Sequence, residues 1–148
     1  MNFSKRYPLV AACAVGVGAL LAFAVPAGAA VSVQSQSPVG QALELGSTAK
    51  IDANGAVVFP SVAFICRPGM SAYLSITVTE AVDGAIASGN TYRAVSDLCT
   101  GAAHQIKVPV TPTQRPFQPG VAFAQASLEL YGSGTSTVLR DEHNIQIS

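Results

Sequence analysis

Residues 71–80, with the sequence SAYLSITVTE, decide the fold class. Apolar side chains alternate in this segment with hydroxyl-bearing ones. The apolar set is Ala72, Leu74, Ile76 and Val78, and the polar set is Ser75, Thr77 and Thr79. A period of two places these sets on opposite faces of a β-strand, whereas a helix would scatter them around its circumference. The segment therefore predicts a strand with one buried face and one solvated face.

Segments on both sides of this strand indicate further strands. Residues 104–110 and 122–131 alternate in the same way, and Pro109 predicts an edge or a bulge at the end of the first of them. Residues 57–66 are apolar on both parities, which predicts a central strand covered on both faces. Weaker candidates are residues 31–36, 48–52, 91–96 and 144–148. No segment after residue 30 has a persuasive helical period.

Turn residues separate these strands. Asn54-Gly55 is the strongest hairpin signal, and Asp83-Gly84 and Gly132-Ser133-Gly134 divide later strands. Four prolines between residues 109 and 119 are too many for a strand or helix and indicate an extended crossover. About seven or eight short strands with one long crossover predict an all-β, antiparallel Greek-key sandwich.

The first 29 residues have the three parts of a secretory signal peptide. Lys5 and Arg6 form a basic start, residues 9–25 form an apolar run, and Ala27-Gly28-Ala29 is a small-residue cleavage site. We expect cleavage after Ala29 and a secreted, extracellular protein. The alternatives are an uncleaved anchor and a lipoprotein with its lipid on Cys13, which lies too early in the run. Residues 30–47 are predicted to be a loosely attached leader, and residues 48–148 the β-sandwich domain.

Cleavage changes the charge and the cysteine count. It removes Lys5 and Arg6, so six basic residues remain against eight acidic ones. This balance argues against nucleic acid and against an anionic membrane surface as partners. Cys13 is also removed, and Cys66 and Cys99 enter an oxidising compartment, where a lone pair predicts a disulfide.

The order of short motifs resembles that of a group of secreted proteins. Cys66 is followed by Pro68-Gly69, by the alternating Ser/Thr-rich strand and by Cys99-Thr100-Gly101, and Phe117-Gln118-Pro119-Gly120 precedes an Ala-rich strand. Over about residues 50–148 this pattern resembles small secreted actinobacterial proteins of uncharacterised function. The resemblance implies an immunoglobulin-like sandwich with one disulfide and carries no catalytic residues. The chain departs from classical immunoglobulin domains in having no Trp.

Candidate catalytic and metal-binding residues are few. His104 and His143 are the two histidines, and Asp141 could join them as a zinc ligand by type, but no spacing supports such a site. We interpret His104 as a residue at the edge of the core and His143 as part of a solvated turn. The sequence therefore predicts no enzyme activity, no metal and no cofactor.

Aromatic and arginine side chains supply a candidate binding surface, because these residue types are favoured anchors of interfaces. Phe117 has two interpretations: it either fastens the proline crossover to the core or is presented to a partner. The candidate residues are Tyr73, Tyr92, Arg93, Arg115, Phe117 and Tyr131.

Three functions agree with these observations. The first is a secreted, non-enzymatic interaction module of the extracellular space or cell envelope, with a protein or a glycan as partner. The second is a carrier of a small apolar ligand in a cleft between two sheets, and the third is a secreted proteinase inhibitor. A deep apolar cleft would favour the carrier, and a flat face would favour the interaction module.

Overall fold

The structure is a computed structural model that describes residues 40–148. The predicted signal peptide and the candidate strand at residues 31–36 lie outside these residues. The prediction of an all-β protein is confirmed, and no helix of the described part is long and apolar enough to cross a membrane. The strands are β1 (Ala42–Asp52), β2 (Val57–Ile65), β3 (Ser71–Val82), β4 (Ala85–Ala94), β5 (Ala103–Lys107), β6 (Gly120–Gly132) and β7 (Thr135–Ile147).

The seven strands form one mixed sheet, curled as a half-barrel, in the order β4-β3-β6-β7-β1-β2-β5. β1 pairs with β2 antiparallel and with β7 parallel, so the expectation of a wholly antiparallel arrangement is wrong here. The pairing of β1 with β2 has a register shift between Leu45 and Ala49, and the pairing with β7 is confined to Thr48 and Ala49. Gly46 lies in this shift, and a Cβ there would overlap the hydroxyl of Ser61 on β2.

β1 begins earlier than the sequence indicated. The predicted leader ran to residue 47, but residues 42–47 form the first half of the strand. The alternating pattern that would predict a strand is weak here, because this half of β1 buries one apolar side chain, Leu45, which is 3% exposed. Pairing with β2, rather than an alternating pattern, holds the segment in the sheet.

One face of the sheet is buried in a single hydrophobic cluster. The even-numbered residues of β3 and β6 fill its centre, including Ala122, Ala124 and Ala126, none more than 1% exposed. β2 was expected to be covered on both faces, but only its even-numbered face is buried, and the residues between are half-buried. The apolar side chains of its odd-numbered face are not part of the hydrophobic cluster, so the second face does not contribute to the core.

Tight turns join the consecutive antiparallel strands. The predicted hairpin at Asn54-Gly55 joins β1 to β2, with Asn54 in the left-handed region at φ 54° and ψ 40°. Gly55 has φ +88°, and a Cβ there would overlap the carbonyl oxygen of Phe117. Asp83-Gly84 and Ser133-Gly134 also have positive φ and close the β3–β4 and β6–β7 hairpins.

The proline-rich crossover is tied to two separate strands. Val110 exchanges both backbone hydrogen bonds with Val58 of β2, on the edge of β2 that also pairs with β5. Two residues later Pro112 bridges Gly89 of β4, and the Thr113 N–H donates to the Ser88 carbonyl at 2.9 Å. The crossover thus joins β2 and an edge strand that lies at the opposite end of the sheet order.

The end of the crossover is held by a buried side chain and two hydrogen bonds from backbone N–H groups. Phe117 is 1% exposed, and its N–H donates to the Gly55 carbonyl at 3.0 Å. The next N–H, of Gln118, donates to the buried carboxylate of Glu80 at 2.9 Å. Exposed residues 114–116 lie between the hydrogen bonds of Thr113 and Phe117.

The predicted disulfide between Cys66 and Cys99 is confirmed, with the two Cα atoms 4.8 Å apart. Cys66 directly follows β2, and Cys99 follows a short 3-10 turn at Ser96–Leu98. Both side chains belong to the hydrophobic cluster, at 0% and 6% exposure. The Gly101 N–H donates to the Cys66 carbonyl at 2.9 Å, so backbone pairing continues beside the sulfur bridge.

Candidate functional site

Three of the predicted binding residues lie together on the outer face of the sheet. Tyr73 is on β3, Tyr92 on β4 and Tyr131 on β6, and all three have the outward parity of their strands. Tyr92 pairs with Ser75 and Tyr131 with Ser71, so each is a diagonal neighbour of Tyr73. Aromatic side chains reach one another across such diagonals. We call these three residues the tyrosine cluster.

The rings of the tyrosine cluster are in contact. The Tyr73 and Tyr92 rings are stacked, with centroids 5.7 Å apart and planes at 9°. The Tyr131 ring meets Tyr73 edge to face at 6.1 Å and 71°. Tyr73 is half-buried between its neighbours, whereas Tyr92 is 61% and Tyr131 45% exposed. The central ring thus holds two exposed rings in fixed positions.

Glu129 adds a carboxylate to the edge of the cluster. It lies opposite Tyr73 in the sheet, and its Oε2 accepts a hydrogen bond from the Tyr131 hydroxyl at 2.9 Å. That bond, together with the negative charge, raises the pKa of Tyr131 above its ordinary value of 10.0. Partial desolvation, followed by the charge of Glu129, raises the pKa of Tyr92 in the same direction. Both phenols are therefore neutral hydrogen-bond donors at physiological pH.

An open depression of about 520 Å³ adjoins the cluster at Tyr131. Its walls are the β6–β7 turn and the segment that leads into β3. Apart from Tyr131, the lining consists of small residues, namely Gly69, Ser71, Gly132, Ser133, Gly134, Thr135 and Ser136. It offers backbone groups and hydroxyls and contains no charged side chain.

The other predicted surface residues lie elsewhere. Arg93 is exposed but has the opposite parity from Tyr92 on the edge strand β4. Arg115 lines a separate depression of about 260 Å³ along the crossover. Phe117 is in the core, so its inclusion in a binding surface is wrong. Its buried position agrees with the other interpretation, in which it fastens the crossover to the core. The candidate site is thus reduced to the three tyrosines.

The histidines and Asp141 do not meet in one place. His104 is on β5, where its Nε2 lies 2.9 Å from the Thr100 hydroxyl and its ring 6.2 Å from that of Phe64. His143 and Asp141 are on β7, with β1 and β2 between them and β5 in the sheet order. Within residues 40–148, no group of three His, Cys, Asp or Glu residues is arranged to hold a metal ion.

Asp141 has a structural role beside the register shift of β1, because its side chain connects β7 to β1. Its Oδ2 accepts the Leu45 N–H at 2.7 Å, and its Oδ1 is 3.5 Å from the His143 Nδ1. This charge-assisted hydrogen bond from the Leu45 N–H to the Asp141 carboxylate adds a second link between β1 and β7 beside their short parallel pairing.

Replacing Asp141 by Ala is expected to lower the free energy of unfolding by about 1–3 kcal/mol, because the Leu45 N–H loses its acceptor. Urea denaturation measures the effect. The matched control is Glu142→Ala, which removes only an exposed hydrogen bond from Gln125 and should change stability by less than about 0.5 kcal/mol. Equal stabilities of the two variants would contradict the structural role of Asp141.

Sequence reasoning missed two parts of this region. The first part is the contact between Glu129 and Tyr131, which are two residues apart in one strand and therefore share a face. The depression had no signal beyond Gly132-Ser133-Gly134, which was interpreted as a turn only. Exposed Val121 and Phe123 lie at the far end of the same face of β6, outside the tyrosine cluster.

Comparison of the chain with models of known protein families, with curated proteins and with solved structures finds no match.

Proposed function

We propose that the chain is a secreted, non-enzymatic interaction module of the immunoglobulin-like Greek-key type. It binds a partner of the extracellular space or cell envelope, a protein or a glycan, through the tyrosine cluster. The observation that carries this proposal is the pair of exposed rings of Tyr92 and Tyr131, held in place by Tyr73. Rigid tyrosines supply a large contact area at a low cost in conformational entropy.

The immunoglobulin-like assignment draws support from the strand order. β2 and β3 follow each other in the chain but are separated in the sheet by β6, β7 and β1, and β5 and β6 lie equally far apart. In the proposed Greek-key sandwich, strands β4-β3-β6-β7 form one layer and strands β1-β2-β5 form the facing layer, with the short parallel pairing of β7 and β1 as their junction. The resemblance to small secreted actinobacterial proteins belongs to the same proposal.

Secretion is supported by the residues that precede the sheet and by the cysteines. The basic start, the apolar run and the Ala27-Gly28-Ala29 site have the order that signal peptidase requires. A buried disulfide is typical of proteins that fold in an oxidising compartment.

The non-enzymatic assignment is supported by the contacts of the candidate catalytic residues. His143 faces Asp141, whose other oxygen is occupied by a backbone N–H, and His104 contacts the Thr100 hydroxyl. Of the three buried or half-buried carboxylates, Glu80 and Asp141 accept backbone N–H groups, and Glu129 accepts the Tyr131 hydroxyl. Glu80 thereby stabilises the crossover, and Asp141 stabilises the contact between β1 and β7.

The carrier and the proteinase inhibitor have weaker support. Both depressions described above are open at the surface, and the larger one is lined by glycine and hydroxyl residues, whereas a carrier needs an enclosed apolar cleft. The exposed residues 114–116 of the crossover would be the inhibitory segment, and Arg115 there is followed by Pro116. The open depressions and residues 114–116 therefore support the carrier and the inhibitor less well than the tyrosine cluster supports an interaction module.

The test is retention of the purified mature protein on the envelope of the organism that produces it. Labelled wild type is incubated with isolated cell envelopes and sedimented over a range of concentrations. We expect saturable retention, and a Tyr92→Ala/Tyr131→Ala variant should bind at least about tenfold more weakly, because it loses both exposed anchors.

The matched control is Val121→Ala/Phe123→Ala, which removes exposed apolar area from the same face but outside the cluster. It should bind like the wild type, and circular dichroism should show that both variants are folded. Equal binding of the tyrosine variant and the wild type, or no retention of the wild type, would contradict the proposal.

A further inference from the structure

The depression beside Tyr131 and the tyrosine cluster form one continuous surface, because Tyr131 belongs to both. Its volume, about 520 Å³, lies within the range of sites for small ligands. The β6–β7 turn supplies one wall, with Ser133 and Gly134 at positive φ, so backbone groups reach the surface there. The Thr135 hydroxyl donates to the Gly132 carbonyl at 2.8 Å and stabilises the turn.

The absence of positively charged side chains from the lining of the depression indicates which class of ligand it can bind. The lining of the depression has hydroxyls and backbone groups but no Lys or Arg. Phosphate, sulfate and carboxylate ligands are recognised by arginine and lysine, neither of which lines the depression, and the carboxylate of Glu129, which accepts the Tyr131 hydroxyl, repels anions. A neutral ligand rich in hydroxyl groups matches the surface best.

The rings favour the same chemistry. The face of an aromatic ring carries negative potential and its edge positive potential, so ring faces attract polarised C–H groups. Tyr73 covers one face of Tyr92, and the other side of this 61% exposed residue is open for contact. Pyranose rings present C–H groups on their faces and hydroxyls around their edges. A ring face next to hydroxyls and backbone groups can therefore bind both parts of a sugar.

We propose that the tyrosine cluster and the adjoining depression bind a neutral oligosaccharide, with Tyr92 and Tyr131 against sugar rings and the Ser71, Ser133 and Ser136 hydroxyls beside sugar hydroxyls. The inference rests on the proposed function and narrows its partner from a protein or a glycan to an uncharged glycan. Glu129 orients the Tyr131 hydroxyl and keeps acceptor capacity for a sugar hydroxyl.

Affinity electrophoresis of the mature, disulfide-bonded protein tests this proposal. Native gels contain one neutral polysaccharide each (amylose, a soluble β-glucan, mannan or galactan) or one acidic polysaccharide (polygalacturonate or heparin). We expect at least one neutral polysaccharide, and neither acidic one, to slow migration. The dissociation constant should then be measured by calorimetry with the hexasaccharide of the same sugar.

Two kinds of variant separate the parts of the site. Tyr131→Ala and Tyr92→Ala should each weaken hexasaccharide binding at least about tenfold. Ser136→Arg, directly opposite Tyr131 in the sheet, fills the depression without removing a ring, and it should also abolish the retardation. Phe123→Ala is the folded control that should bind like the wild type.

The outcomes distinguish this inference from the proposed function. Tyrosine-dependent retention on envelopes without retardation by any neutral polysaccharide would overturn the glycan assignment and leave a protein partner for the module. Retardation by an acidic polysaccharide that needs Tyr131 would also overturn it. Retardation by a neutral polysaccharide that survives Tyr92→Ala and Tyr131→Ala would show that the sugar binds elsewhere.

Discussion

Replacement of Phe117 by Ala is expected to lower the free energy of unfolding by about 3–5 kcal/mol. The side chain is 1% exposed and is among the largest fully buried ones of the described residues. Its loss leaves a cavity in the cluster and also frees the crossover, whose backbone pairs with Gly55 at this residue. Urea denaturation of the oxidised protein, extrapolated linearly to water, measures the change.

Phe123→Ala is the matched control, because it removes the same side chain from a position that is 47% exposed. Its stability should differ from the wild type by no more than about 0.5 kcal/mol. A Phe117→Ala protein within about 1 kcal/mol of the wild type would show that the crossover contributes little to the core.

The strands that could be predicted from the sequence are those with a long run of apolar residues on the inward face. Residues 71–80 and 122–131 were expected, and β3 and β6 extend only two residues or fewer beyond them at each end. Each of these strands has a neighbour on both edges, and one face of each is buried. Burial then favours an apolar residue at every second position, and in β3 the buried Glu80 interrupts this pattern only after four apolar residues.

β7 shows why other strands were missed. Only residues 144–148 were a candidate, but the strand is Thr135–Ile147. Its inward parity includes Leu139, Ile145 and Ile147, interrupted by Asp141 and His143. The carboxylate is tolerated there because it accepts the Leu45 N–H of β1. A polar residue that is satisfied by another strand breaks the local pattern, and its partner cannot be found from that pattern.

The candidate site follows the same rule. The outward parity of Tyr73 and Tyr131 was readable in each strand, but their contact depends on β4, β3 and β6 being neighbours, which no local pattern contains. Phe117 was ambiguous because a single aromatic residue among prolines has no period. Only the Gly55 carbonyl and the adjoining cluster decide that it points inward.

Replacement of both Cys66 and Cys99 by Ser is expected to lower the free energy of unfolding by about 2–5 kcal/mol. The residues are 33 apart in sequence, and closing a loop of that length in the unfolded chain accounts for about 3–4 kcal/mol in the chain-entropy model. Both sites are buried in the hydrophobic cluster, so two serine hydroxyls would add a cost of desolvation.

The Cys66→Ala/Cys99→Ala variant separates these two contributions, because it removes the crosslink without burying hydroxyls. Urea denaturation of the wild type, the Ser variant and the Ala variant should rank them in the order of decreasing stability wild type, Ala, Ser. Thiol titration of the unfolded, oxidised wild type should find no reactive thiol from this pair. Two reactive thiols, or an Ala variant as stable as the wild type, would mean that packing around Cys66 and the Gly101 hydrogen bond hold this end of the sheet without the bridge.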